Sequence, residues 1–257
     1  MKARTVQVIA LNTFKEAIRD RILYLLLFFA AVAILFSRVL ALLTVGDRTK
    51  IIKDVGLASI SLFGALMAIL IGTGLVYKEI EKRTIFTLIS KPIRRHEFLL
   101  GKYFGLVLTL FVMLLCMSVI FLVLIFFQTW TVEWKLLVAI FSIFIELILI
   151  TAVAVLFSCF STPILSSLFA LCFYLIGHFS WSLETLIKKA RPGAGRTLLR
   201  VLDAVLPDLE NFNLKTEVVH GLPISAAHVL YATAYGVVYA AFVLTLAVLI
   251  FRRRDFI

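Results

Sequence analysis

Residues 103–127 read YFGLVLTLFVMLLCMSVIFLVLIFF, a run without a single charged side chain. An α-helix rises about 1.5 Å per residue, so this run is long enough to cross the roughly 30 Å hydrocarbon core of a bilayer. Over all 257 residues, 62% are hydrophobic and only 16% are charged. One soluble core cannot hide so much apolar surface. The sequence therefore predicts an all-α integral membrane protein.

Six apolar runs are long enough to be transmembrane helices. They occupy approximately residues 22–44, 55–77, 103–127, 136–160, 162–183 and 229–251. The connection around Pro163 is very short, which predicts an antiparallel hairpin of the fourth and fifth spans. Because the rest of the chain is too short for a soluble catalytic domain, we expect one transmembrane domain covering residues 1–257.

The basic residues give this chain a net charge of +11, and they lie at the edges of the apolar runs. We interpret them as topology determinants and headgroup anchors, not as a nucleic-acid surface. Five precede the first span, seven lie between Lys78 and Lys102, and three follow the last span, against ten in the loops on the opposite side. The positive-inside rule therefore predicts cytoplasmic termini, although the segment 184–228 is rich in Lys and Arg and would face outward.

Two further segments have amphipathic patterns. Residues 4–20 place one apolar stripe opposite a polar face, which predicts a helix lying in the membrane interface; a plain cytoplasmic lead into the first span is the alternative. Residues 196–206 predict a short outer interface helix before Pro207, with a simple connection as the alternative. The apolar stripe of the first segment consists of Val6, Ala10, Phe14, Ala17 and Ile18.

The loop between the second and third spans holds most of the polar chemistry. Residues 77–105 read YKEIEKRTIFTLISKPIRRHEFLLGKYFG. Glu79 and Arg83 have the spacing of a helical ion pair, and Pro92 predicts a helix end at Lys91. An apolar cluster of Ile85, Phe86, Leu88 and Ile89 within a basic rim is typical of a docking surface. The alternative is a solvated loop with positive membrane anchors.

This pattern resembles the type-2 ATP-binding-cassette (ABC) transporter permeases, especially the branch that includes the permease of the nitrous-oxide-reductase maturation system. The resemblance covers essentially the whole chain. Its most specific positions are Glu81-Lys82-Arg83-Thr84, Leu88, Pro92, Arg95 and Gly101-Lys102. The opening ALNTFKEAIRDR (10–21), the segment PDLENFN (207–213) and the end FRRRDF (251–256) also fit.

The resemblance implies how the chain couples to an ATPase. Residues 84–91 would form the coupling helix that sits in the ATPase, and the charged residues before it would transmit movement to the second span. Arg94, Arg95 and Lys102 would hold the base of the third span against headgroups or the ATPase. The implied coupling residues are Glu79, Glu81, Lys82, Arg83, Thr84, Ile85, Phe86, Leu88, Lys91, Pro92, Arg94, Arg95 and Lys102.

The same resemblance implies the partners: two copies of an ABC ATPase subunit, a second permease protomer that forms a homodimer, and the lipid bilayer of a bacterial or archaeal inner membrane. ATP and magnesium would bind to the ATPase subunits. This chain is expected to bind no cofactor, because its only Gly-Lys pair, Gly101-Lys102, lacks the phosphate-loop pattern: position 96 is His and position 103 is Tyr.

Glu146 lies near the middle of the fourth span, where an ionised carboxylate costs about 2.5 to 3.5 kcal/mol. We interpret it either as part of a substrate or proton path or as a structural hydrogen-bonding group. His178 and His228 flank the outer segment, and two histidines without a third ligand make a poor metal site, so no metal is predicted. The cysteines at positions 116, 159 and 172 lie in apolar runs without disulfide or metal spacing.

Three functional classes follow from these features. The first is the transmembrane subunit of an ATP-driven transporter that exports or extracts a hydrophobic or amphipathic substrate. The second is a membrane scaffold that docks a different cytoplasmic protein through residues 79–102. The third is an intramembrane enzyme that uses Glu146. The first class is the one that the resemblance implies, and the other two are alternatives to it.

Overall fold

A computed structural model describes residues 3–44, 46–81, 94–131, 133–179 and 206–253, together with the single positions 187, 196, 197 and 200. Side chains are described for these residues except 75–81 and 253. The described chain is helical and contains no β-strand, which confirms the all-α prediction.

Eight α-helices and one short 3₁₀-helix make up the described residues. The α-helices are α1 (Ala3–Ile18), α2 (Arg21–Leu43), α3 (Arg48–Glu81), α4 (Arg95–Thr129), α5 (Trp134–Ser158), α6 (Pro163–His178), α7 (Lys215–His220) and α8 (Ala226–Arg253). The 3₁₀-helix covers Leu209–Phe212.

Five of these helices are long and apolar enough to cross a membrane: α2, α3, α4, α5 and α8. They match the first four predicted spans and the last one. The remaining predicted span, residues 162–183, corresponds to α6, which has 16 residues and a length of about 24 Å. That is shorter than the hydrocarbon core, and residues 180–183 lie outside the described part of the chain. The described chain therefore contains five candidate membrane spans, and a sixth stays a prediction.

Side-chain contacts sort the helix ends onto two opposite faces of the bundle. At one face, Lys102 of α4 lies 3.2 Å from Glu16 of α1, and Arg95 donates to the carbonyl of Arg252 in α8 over 3.1 Å. We name this the terminal face. At the other face, Lys53 of α3 lies 2.7 Å from Glu133, which caps α5. We name this the far face.

Helix α5 forms the centre of the bundle and packs against α3, α4, α6 and α8. In its apolar window 72% of residues are buried, whereas the value for α2 is 22%, so α2 lies at the periphery. Two glycines of α3 allow close approach to α5. A Cβ atom at Gly64 would lie 2.9 Å from Leu147, and one at Gly72 would lie 3.0 Å from Ala154. Gly64 and Gly72 therefore serve the close packing of these two helices.

Helix α1 packs along the terminal-face end of α4. Its predicted apolar stripe is turned toward the protein, with Val6 and Ala17 buried. Gly101 and Gly105 of α4 make this approach possible, because a Cβ atom at Gly105 would lie 2.5 Å from the carbonyl oxygen of Ala10. The amphipathic helix therefore exists, and part of its apolar stripe is covered by α4.

A re-entrant segment, residues 206–222, enters the bundle from the far face. Leu209 and Phe212 are almost fully buried, and a Cβ atom at Gly177 would lie 2.7 Å from the Leu209 side chain. At its other end, Lys135 of α5 donates to the carbonyl of Gly221 over 2.9 Å. Irregular backbone at membrane depth is tolerated only when protein surrounds it, and α3, α5 and α6 provide that environment here. Most of the predicted outer helix at 196–206 lies outside the described residues.

Candidate functional site

Most of the predicted coupling segment lies outside the described residues, since description stops at 81 and resumes at 94. Glu79 and Glu81 lie in the last turn of α3, where only the backbone is described. Arg94 directly precedes α4, and Arg95 begins it. The residues outside the description are Lys82, Arg83, Thr84, Ile85, Phe86, Leu88, Lys91 and Pro92.

The described flanks of this segment are joined to other helices at the terminal face. Besides the bond from Arg95 to Arg252, the rings of Phe98 and Phe251 stack with centroids 6.3 Å apart. These two contacts hold the start of α4 against the end of α8. The structure therefore gives the base of the third span a firm attachment that the sequence did not reveal.

Lys102 is buried between α4 and α1. The residue is 1% exposed, and its ammonium group lies 3.2 Å from the Glu16 carboxylate, whose side chain is 39% exposed. A buried lysine needs such a counter-charge, because removal of an ammonium group from water is costly. The prediction that Lys102 holds the base of the third span against headgroups or the ATPase stays a prediction, and the structure adds a contact of Lys102 with Glu16 in the first helix.

Glu146 lies at the midpoint of α5, twelve residues from each end and thus about 18 Å along the axis. Its side chain is 2% exposed, and its Oε1 atom lies 3.0 Å from Nε2 of His178 at the end of α6. This distance suits an ion pair, but the angles do not suit a hydrogen bond, so neither atom has a hydrogen-bond partner among the described residues. No lysine or arginine in the described chain pairs with Glu146.

The re-entrant segment supplies the second neighbour of His178. Oε2 of Glu210, in the 3₁₀-helix, lies 3.9 Å from Nδ1 of His178. The other oxygen of Glu210 accepts a hydrogen bond from the Asn213 side chain over 2.8 Å, which holds the carboxylate at the edge of the segment. His178 thus lies between two carboxylates, one at the centre of the bundle and one closer to the far face.

Helix α8 fixes the other side of the re-entrant segment. The backbone N–H of Asp208 donates to the Tyr235 hydroxyl over 3.2 Å, and Nε2 of His228 lies 3.1 Å from the Asn211 carbonyl oxygen. His228 therefore supports the segment and does not join His178. Within the residues that the structure describes, no three His, Cys, Asp or Glu side chains are arranged to hold a metal ion.

The contact between Glu146 and His178 has a signal in the sequence, although the two residues were not predicted to meet. In an antiparallel hairpin of α5 and α6, Glu146 lies 12 residues before Ser158, and His178 lies 15 residues after Pro163. The two side chains therefore fall at similar depths. Glu210 could not be found in this way, because it approaches from a segment more than 30 residues further along the chain.

Comparison with known proteins gives one family. The model of the ABC-2 family transporter proteins matches residues 7–256. No curated protein matches the sequence. Members of this family are transmembrane components of ABC transporters that work with an ABC ATPase and are not ATPases themselves. Because the match extends over nearly the whole sequence and the helices are those of a multi-pass membrane protein, this chain belongs to the ABC-2 transporter family.

Proposed function

We propose that this chain uses ATP hydrolysis by a separate ATPase subunit to export or extract a hydrophobic or amphipathic substrate. The proposed complex contains two copies of the chain and two ATPase subunits, which bind ATP and Mg²⁺. The terminal face lies in the cytoplasm of a bacterial or archaeal cell. Within the ABC-2 family, the chain is assigned to the branch of the nitrous-oxide-reductase maturation permease.

One observation carries this proposal: the two helices that flank residues 82–93 are much longer than a membrane requires. Helix α3 has 34 residues and α4 has 35, which correspond to about 51 and 52 Å. Each exceeds the roughly 30 Å hydrocarbon core by about 20 Å. The end of α3 and the start of α4 both lie at the terminal face, so a partner that docks there can push on two helices that pass through the bundle.

The contacts at the terminal face suggest how such a push spreads. Movement of the start of α4 would pull α8 through the stacked pair Phe98 and Phe251, and α1 through the ion pair of Lys102 and Glu16. In this proposal Lys102 contributes to coupling through α1 and does not touch the ATPase. Arg94 is exposed and is available to the partner or to lipid headgroups.

A groove beside α5 supports the proposal that the substrate is hydrophobic or amphipathic. It lies between α5 and α8 toward the far face and has a volume of about 390 Å³. Its lining is almost entirely apolar, which suits a hydrophobic or amphipathic molecule. Glu146 is buried beside His178 and would join a substrate path only after the elements around it move. The groove is lined by Trp134, Val138, Phe141, Ile224, Val229 and Leu230.

Co-purification tests the ATPase partnership. The full chain is expressed with the ABC ATPase of the same cell and purified in detergent. We expect Phe86→Asp or Leu88→Asp to abolish retention of the ATPase, since a charge in an apolar docking centre weakens binding strongly. Thr131→Asp, at an exposed position of the far face, is the matched control and should retain it.

Two outcomes would overturn this assignment. If the wild-type chain never retains an ATPase but captures a different protein through residues 79–102, the chain acts as a scaffold. If a cysteine introduced at Thr87 is labelled only from outside the cell, and one at Thr131 only from inside, the orientation is reversed. The labelling uses a variant in which Cys116, Cys159 and Cys172 are replaced.

A further inference from the structure

We propose that Glu146, His178 and Glu210 form a proton-binding relay that connects the centre of the bundle with the far face. The ligand of this site is a proton, which binds between the side chains of Glu146 and His178. The inference does not rest on ATPase coupling. It needs only the membrane fold and the burial of these three side chains.

An unpaired negative charge is costly at the centre of the bundle, where Glu146 lies. The Glu146 side chain is 2% exposed, and His178 is the only partner within ion-pair distance in the described chain. A carboxylate and a neutral imidazole together carry one negative charge, which is unfavourable at this depth. One added proton makes the pair neutral, whether it resides on Oε1 of Glu146 or on Nε2 of His178. A proton bound between the two side chains therefore removes the charge of the pair.

The three side chains differ in how much of their surface is exposed. The exposed fraction of the side chain rises from 2% for Glu146 to 18% for His178 and 44% for Glu210. The three groups thus lead stepwise from the buried centre toward water. The 3.9 Å between Nδ1 and Glu210 Oε2 exceeds a hydrogen bond, and one water or a rotation of the half-exposed Glu210 side chain closes it.

The proton transfer balances at each atom. Glu210 donates a proton to Nδ1, which makes the imidazole a cation when Nε2 already carries hydrogen. A small rotation of either side chain aligns Nε2–H with Oε1 of Glu146, which lies 3.0 Å away; the N–H bond at Nε2 then breaks, and an O–H bond forms at Oε1. His178 is neutral again with its hydrogen on Nδ1, and Glu210 is a carboxylate that recovers a proton from water. The reverse sequence releases the proton to the far face.

Among the described residues, no Lys or Arg lies within ion-pair distance of Glu146, His178 or Glu210. Lys53 pairs with Glu133, and Lys135 donates to the Gly221 and Leu222 carbonyls at the far face. The Tyr174 ring lies edge-on to His178 with centroids 4.6 Å apart and fixes the imidazole plane. The other charged or titratable groups described on the elements around His178 are Arg48, Lys50 and Asp54 on α3, Cys172 on α6, Asp208 on the re-entrant segment, Lys215, Glu217 and His220 on α7, and His228, Tyr231, Tyr235, Tyr239 and Arg252 on α8, with Arg196 at a separately described position.

Nitrogen-15 NMR of histidine-labelled full chain in lipid nanodiscs tests the relay. The chain has four histidines, so replacing each in turn assigns every ring signal. At one fixed neutral pH, we expect Glu146→Gln to change the ring nitrogen signals of His178, because the carboxyl group that shares a proton with Nε2 is lost. Glu133→Gln, a carboxylate at the far face, is the matched control and should leave the His178 signals unchanged. An unchanged His178 spectrum in the Glu146 variant would overturn the proposal.

A second measurement avoids any folding defect caused by a change at the buried residue. Glu210 is half-exposed, so Glu210→Gln should fold normally. Transfer from H₂O to D₂O shifts the infrared carboxyl band of protonated Glu146, and we expect Glu210→Gln to slow this shift about tenfold or more. Equal exchange rates in wild type and variant would refute the path through Glu210. Both experiments use the chain without its ATPase, so their failure and the failure of the transporter assignment are distinguishable.

Discussion

Substitution of Gly105 by alanine tests the packing of α1 against α4. The added Cβ atom would lie 2.5 Å from the Ala10 carbonyl oxygen and 2.6 Å from the Thr13 Cβ atom. Backbone cannot move aside cheaply, so helix α1 must shift. Overpacking of this kind costs about 1–3 kcal/mol.

The matched control is Gly74→Ala in α3, where nothing lies within 4 Å of the added atom. Alanine stabilises a helix interior by roughly 0.5–1 kcal/mol relative to glycine, and this gain applies to both variants. It cancels in the comparison, so the difference in the free energy of unfolding between the two variants is the overpacking cost of about 1–3 kcal/mol.

The assay is thermal unfolding of the purified chain in one detergent, followed by tryptophan fluorescence. For a chain of this size, the melting temperature changes by roughly 2–4 °C per kcal/mol of unfolding free energy. The melting temperature of Gly105→Ala should therefore be about 2–12 °C lower than that of Gly74→Ala. Equal melting temperatures would show that α1 does not lie on α4. The proposed transmission through Lys102 and Glu16 would then lose its basis.

Three other changes test the far face and the corner between the first two helices. Glu133→Gln should lower the free energy of unfolding by about 1–3 kcal/mol in the same melts, because the Lys53 side chain is only 10% exposed and loses its counter-charge. Lys53→Met should lower the free energy of unfolding by less, since the Glu133 side chain that it leaves unpaired is 34% exposed. Leu209→Ala should lower the free energy of unfolding by about 2–4 kcal/mol, because it leaves a cavity under the re-entrant segment. The control Leu222→Ala, at a residue that is 48% exposed, should change this free energy little. Equal effects of the two variants would show that the segment is not inserted. Asp20→Ala should cost about 1 kcal/mol by removing the cap of α2, and an unchanged melting temperature would show that the cap does not contribute.

The sequence alone determined the class of the protein and most of its helices. Long apolar runs can satisfy their backbone hydrogen bonds in lipid only as helices, so composition and length fix the result. The predicted span 103–127 lies within Arg95–Thr129, and the predicted span 136–160 nearly coincides with Trp134–Ser158. Each boundary depends on the local sequence, for example on Pro163 at the start of α6.

Tertiary structure decided which polar residues meet. The sequence marked Glu146 as costly and His178 as isolated, but their contact depends on the packing of α5 against α6. Burial of the re-entrant segment depends on small residues at close approaches, such as Gly177 against Leu209. Likewise, Lys102 has the sequence signature of a membrane anchor, and only the position of α1 makes Glu16 its partner. The pattern of apolar residues along one helix indicates which face is apolar. The contacts between helices depend on the shapes and charges of two or more segments together, so the sequence of one segment does not determine them.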